Sequence, residues 1–83
     1  MNSFSLSLFA GNQEQHFDDV VSFVGEDASG SFGLQARHAY FMTVLVFGLA
    51  RFRLSNNTWQ YVASPNGLLS FKANRLIISS RYF

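Results

Sequence analysis

The sequence predicts an all-β fold, a flattened antiparallel β-sandwich or barrel of about 8–10 short strands. Three observations carry this. Apolar residues almost nowhere recur with helical spacing, polar and apolar residues alternate with period two in segment after segment, and turn-forming residues return roughly every ten positions.

The elements follow in order. Phe4, Leu6 and Leu8 alternate with Ser3, Ser5 and Ser7, so the first strand has one face in and one face out. Gly11-Asn12 marks a turn. Residues 14–24 read as a second strand, with Phe17, Val21 and Phe23 spaced to face inward, and Gly25 to Gly30 reads as a loop by composition. Gly30 to Leu34 is a brief, glycine-bounded strand, and residues 40–47 and 49–54 form two β segments with a bend at Gly48. Ser55-Asn56-Asn57 turns the chain into a strand on which Trp59, Tyr61 and Ala63 share a face. Ser64-Pro65-Asn66-Gly67 is another turn, and Leu69 and Phe71 share a face of the strand after it. Lys72-Ala73-Asn74-Arg75 turns again, and Leu76, Ile78 and Ser80 lie on one face of the last strand, opposite Ile77 and Ser79. The expected core is Phe4, Leu6, Leu8, Phe17, Phe23, Leu76 and Ile78.

With 83 residues the expectation is one domain, 1–83, whose margin of stability is thin. Cysteine is absent, which excludes disulfides, thiolate metal sites and a cysteine nucleophile. Charged residues are only 13%, while aromatics reach 17%, ten of them Phe. So little charge suggests that part of the surface is covered by something else. Net charge is +1, but every acid (Glu14, Asp18, Asp19, Glu26, Asp27) precedes every base (Arg37, Arg51, Arg53, Lys72, Arg75, Arg81). Interleaving of distant strands is expected to cancel that asymmetry in space. The start, Met1-Asn2-Ser3-Phe4, lacks the basic region of a signal peptide, and the uncharged stretch His38 to Ala50 is too short to span a bilayer.

Catalytic chemistry finds no support. His16 and His38 are far apart in sequence, and no paired metal-ligand spacing occurs. Asp18 and Asp19 are adjacent, so on a strand they point to opposite faces. No Gly-x-Ser-x-Gly elbow appears, and Gly30-Ser31-Phe32-Gly33 lacks the lysine of a phosphate cradle. Arg51 and Arg53 flank Phe52 and point the same way on a strand, which leaves open a small β-barrel that binds single-stranded nucleic acid. The net charge of +1 argues instead for a solvated outer face with Phe52 in the core.

From Glu26 to Arg51 the chain reads Glu-Asp-x-x-Gly-x-Phe-Gly-x-x-x-x-His-x-x-Phe-x-Thr-x-Leu-x-x-Gly-x-x-Arg. This resembles the signature of the N-terminal domain of the F-type ATP synthase epsilon subunit. Gly30, Gly33, Leu34, His38, Thr43, Leu45, Gly48 and Arg51 fall in register without a gap. Phe17 and Val21 before the loop, and Gly67-Leu68-Leu69 after it, match the flanks. Glu26-Asp27, Phe41 and Ser80-Arg81 look most like the alternate, sodium-type branch. Ala36-Arg37 stands where the family has Pro-Gly, and Tyr40 where it usually has Pro. The chain stops at Phe83, where relatives usually continue into a helical hairpin.

The resemblance implies a non-catalytic rotor subunit without a cofactor. Such a subunit grips the gamma subunit, touches the membrane-embedded c-ring, and couples rotation to ATP synthesis or hydrolysis and ion transport. It is peripheral, on the cytoplasmic face of the inner (plasma) membrane, with no transmembrane segment and no nucleic-acid partner. Ser31, Arg37 and His38 are the implied c-ring contacts; Gly30, Phe32, Gly33, Thr43, Gly48 and Arg51 are implied structural positions. Without the hairpin, neither nucleotide binding nor an inhibitory extension is expected.

Overall fold

The structure, a computed structural model, describes residues 3–46, 48–64 and 66–80. The readings placed on Met1, Asn2, Phe47, Pro65 and Arg81 lie outside these residues. Eight strands follow in chain order: β1 (Phe4–Ala10), β2 (Gln13–Asp27), β3 (Gly30–Leu34), β4 (Phe41–Leu45), β5 (Gly48–Leu54), β6 (Trp59–Ser64), β7 (Gly67–Lys72) and β8 (Arg75–Ser80). No helix occurs among the described residues.

The strands form one sheet in the order β1-β8-β7-β4-β2-β5-β6, with β3 paired to β2 and a further β1–β2 pairing that folds the sheet onto itself. The result is a sandwich, or flattened barrel, with extents of 31 × 27 × 21 Å. Seven of the eight strand pairings are antiparallel, but β1 and β8 run parallel, from Ser5↔Arg75 to Ala10↔Ser80.

Strand β2 joins the layers. Its first half pairs with β1 and its second half with β5 and β3. Two irregularities lie between the halves. Phe4 and Leu6 face Val20 and Phe17, so the step along β2 is a residue longer than along β1. Val20 and Ser22 face Leu54 and Arg53, which leaves Val21 as the extra residue. Bulges bend a strand and shift its side-chain phase. The inward residue is therefore Val20, fully buried, and the expected Val21 is only half-buried.

The segment Gly25–Asp27 is also strand rather than loop. Gly25 pairs with Phe32, Glu26 with Ser31 and Asp27 with Gly30, so only Ala28-Ser29 turns the hairpin. Gly25 is needed where it stands: a Cβ there would lie 2.9 Å from Phe23 Cε1 and 3.2 Å from Phe32 Cζ.

The core is apolar throughout. Phe4, Leu6, Leu8, Phe23, Leu76 and Ile78 are buried as the alternation requires, and Phe17 packs half-buried against them. Phe52, Phe71, Leu34, Leu45 and Leu69 complete it. Each such side chain contributes about 1.5–3 kcal/mol when fully withdrawn from water. Phe4 meets Phe71 at 5.1 Å and Phe17 meets Phe52 at 4.9 Å in tilted contacts. The β7–β8 turn puts Ala73 (φ 52°) and Asn74 (φ 60°) in the left-handed region, the geometry whose twist matches a two-residue hairpin.

Candidate functional site

The implied contact residues lie at both ends of β3. Ser31 is exposed beside the β2–β3 hairpin, opposite Glu26. There Gly30 has φ 119°, and Asp27 Oδ1 accepts the Ser29 N–H at 2.8 Å, closing the turn. Beyond the other end of β3, Gln35 to His38 turn the chain, and the His38 N–H donates to the Gln35 carbonyl. Ser31 is therefore not brought together with Arg37 and His38: the intervening strand holds them apart at about 3.3 Å per residue.

Arg37 carries the altered Pro-Gly position. Its φ is 67°, a conformation suited to glycine, and its N–H donates to Asn74 Oδ1 at 2.7 Å. The loop is thus tied by its backbone to the β7–β8 turn. His38 follows, with its ring stacked over Phe71 at 6.2 Å and edge-on to Phe41 at 6.1 Å, so it caps the core aromatics.

The other signature positions are framework. Phe32 meets Phe41 at 5.3 Å, and Gly33 stands opposite Val24. The Thr43 hydroxyl donates to Asp27 Oδ2, and Gly48 opens β5 beside the Glu26 carboxylate. Arg51 lies on the outer face of β5, where its guanidinium carbon is 5.4 Å from the Trp59 ring; that of Arg53 is 5.9 Å away. Phe52, between them, is fully buried.

The low charge implied a covered surface without locating it, and the strand pairing locates one. On the outer face of β4-β7-β8-β1, Val44, Leu68, Ser79 and Phe9 form one cross-strand row, and Met42, Ser70, Ile77 and Ser7 form the next. Val44 is 61% exposed, Met42 52% and Leu68 49%. The next outward positions are Lys72 and Arg75, directly opposite each other, with Arg37 bound to Asn74 alongside. Like charges placed so repel. The signal was available: apolar residues occupied both phases of these strands, and only one phase fits inside.

Among the described residues no carboxylate pairs with these cations. No Lys or Arg among them pairs with a carboxylate, and the one His–carboxylate contact is His16 Nε2 to Asp18 Oδ1 at 2.7 Å, so the charge asymmetry is not cancelled by pairing. His16 Nδ1 also lies 2.9 Å from the Ser7 hydroxyl, and Ser7, His16 and Asp18 together latch β1 to β2 on an exposed face. Among the described residues no group of three or more His, Asp or Glu could hold a metal ion. Among the described residues no helix is long and apolar enough to cross a membrane.

The structure is thus an all-β domain with an exposed apolar face. Residues 3–82 match the family model described as ATP synthase, Delta/Epsilon chain, beta-sandwich domain, and the chain belongs to that family, whose epsilon chains are stalk subunits rather than catalytic ones. It is 37% identical over 60 residues to ATP synthase epsilon chain 2 of Cereibacter sphaeroides, covering 72% of this chain and 41% of that protein. It is 30% identical over 78 residues to the ATP synthase epsilon chain of Wolbachia pipientis from Culex pipiens, covering 94% and 69%. In fold it is similar to a chain in the Euglena gracilis mitochondrial ATP synthase structure of OSCP, F1 and c-ring. That match has a TM-score of 0.85 and 15% identity over 92% of this chain and 49% of that one. A chain of the Tetrahymena thermophila mitochondrial ATP synthase central stalk and c-ring matches with a TM-score of 0.78 and 18% identity, over 90% and 60%.

Proposed function

We propose that this chain is the sandwich domain of a central-stalk epsilon subunit, docking on a gamma-type subunit and on the c-ring and transmitting rotation between them. The observation that carries it is the apolar outer face of β4-β7-β8-β1, which among the described residues no charged residue interrupts before Lys72 and Arg75. Such a face buried against a partner explains why so much apolar surface is tolerated. We assign it to the gamma subunit.

Arg37, Lys72 and Arg75 border that face directly, so acidic gamma residues suit this end. The polar β2–β3 hairpin beside Ser31 is then left for the polar loops of the c-ring. Under this reading the domain is peripheral to the membrane on the cytoplasmic side and couples stalk rotation to ATP synthesis or hydrolysis and ion transport. The sodium-type affiliation belongs to the same reading and rests on Glu26-Asp27, Phe41 and Ser80-Arg81 in the sequence.

Titration of the chain with purified gamma subunit by calorimetry tests the assignment. Val44→Lys and Leu68→Lys place a charge in the face without touching the core, and are expected to abolish gamma binding while the circular dichroism stays unchanged. Full binding by both variants would remove the face from the interface. The Arg51–Arg53 face supports the nucleic-acid alternative less well, because two guanidiniums on a chain of net charge +1 are too few for phosphate-driven affinity.

A further inference from the structure

Strand β6 is an open edge. It pairs with β5 from Gly48↔Ser64 to Arg53↔Trp59, and its other side has no strand partner among the described residues. Edges are normally blunted by charges, prolines or bulges. This one, Trp-Gln-Tyr-Val-Ala-Ser, has none of these, and Tyr61 on it is 61% exposed.

Two further observations lie on either side of that edge. Inward, a groove of about 280 Å³ separates β6 from the β1–β2 arm; Leu8, Ala10 and Val62 give it apolar walls, Tyr61 and Ala63 form its rim on β6, and Gln13, Glu14 and Gln15 make its other side polar. Outward, Arg51 and Arg53 reach from β5 over Trp59, which stands on the edge strand itself. Neither has a carboxylate partner within the described residues, and Arg53 also donates to Asn57 Oδ1.

We propose that β6 receives an extended segment of a partner polypeptide as an added strand, with apolar side chains alternating with acidic ones. Backbone pairing along the edge supplies affinity, and alternate side chains supply specificity. The inward residues of the added strand enter the groove over Leu8 and Ala10. Its outward residues lie beside Trp59 and Tyr61, where a carboxylate meets two guanidiniums. A second copy of this chain is a poorer occupant. Residues 59–64 contain no acid, so β6–β6 pairing brings the arginines no counter-charge.

The test uses Trp59, the only tryptophan in the chain, as a fluorescence reporter. The chain is titrated with a short peptide alternating Val and Glu, with the same peptide N-methylated on alternate amides, and with a Val–Lys counterpart. The Val–Glu peptide is expected to shift Trp59 emission saturably, and the N-methylated peptide to bind not at all. The double variant Arg51→Gln, Arg53→Gln is expected to bind the Val–Glu peptide about two- to fivefold more weakly, as for exposed ion pairs. No response to the Val–Glu peptide, or equal binding of the N-methylated one, overturns the proposal. Equal binding of the Val–Lys peptide overturns its acidic component. Sedimentation as a dimer that the Val–Glu peptide does not dissociate assigns the edge to a second copy and overturns it as well.

Discussion

The Thr43 hydroxyl donates to Asp27 Oδ2 over 2.8 Å, and this partly buried bond fastens β4 to the end of β2. The backbone link between these strands is slight, with Asp27↔Leu45 the single paired position. Asp27 Oδ1 meanwhile closes the hairpin through Ser29. One carboxylate therefore holds both a turn and an inter-strand tie. Thr43→Val keeps the shape and removes the donor; a bond to a charged acceptor is worth about 1.5–3 kcal/mol when enclosed, and about 1–2 kcal/mol is expected at this half-buried site. Urea titration checks it, and a variant as stable as the parent would show that the tie is idle.

Gly25→Ala is expected to destabilise by about 1–3 kcal/mol, the range for a methyl group forced into a filled core. The added Cβ meets Phe23, Phe32 and Leu45 within 3.3 Å, and these side chains are packed from behind. A thermal melt should show a fall of several degrees, since about 1 kcal/mol moves the midpoint of a domain this small by about 4–8 °C. An unchanged midpoint would mean that the aromatic packing gives way freely.

Arg37→Gly is expected to stabilise the chain by about 0.5–1 kcal/mol, because glycine adopts φ 67° without the steric cost an L-residue carries there. Asn74→Ala should do the reverse, leaving the Arg37 N–H without its acceptor. If Arg37→Gly melts lower than the parent, the side chain has a stabilising role that its exposed position hides.

Under the proposed docking, the two ends of β3 meet different partners and can be tested separately. Ser31→Arg is expected to loosen attachment to the c-ring and to leave gamma binding intact, whereas Arg37→Glu should weaken gamma binding by about 0.2–1 kcal/mol for an exposed pair. Pull-down on membranes and gamma calorimetry read these separately. If Arg37→Glu instead releases the chain from the c-ring, the assignment of ends is reversed.

Much of the fold was legible because period-two alternation maps directly onto burial: Phe4, Leu6, Leu8, Leu76 and Ile78 all point inward as spaced. Val21 was misplaced because a bulge changes phase without leaving a sequence mark. Gly25–Asp27 looked like a loop because Gly, Glu and Asp are weak strand formers, yet β3 and Leu45 supply the ladder partners that propensity cannot anticipate. Pairing partners are likewise silent in sequence, so the parallel β1–β8 contact was not foreseen. Of the candidate contacts, Arg37 and His38 fell in a loop as read, but their separation from Ser31 depends on β3 being straight. The apolar outer face lay in plain view in Met42, Val44, Leu68 and Ile77, which alternation alone assigns to neither water nor core.

The parallel run of β1 against β8 bears on how the domain takes mechanical load. Drawing β1 by its first residue and β8 by its last strains the bridges from Ser5↔Arg75 to Ala10↔Ser80 together, in shear, rather than unzipping them one after another. Single-molecule stretching along this axis should need a markedly higher force than pulling β7 from β8, whose antiparallel hairpin peels from one end. The domain would thus resist being drawn out along the line of its first and last strands, and yield first where a hairpin can open like a seam.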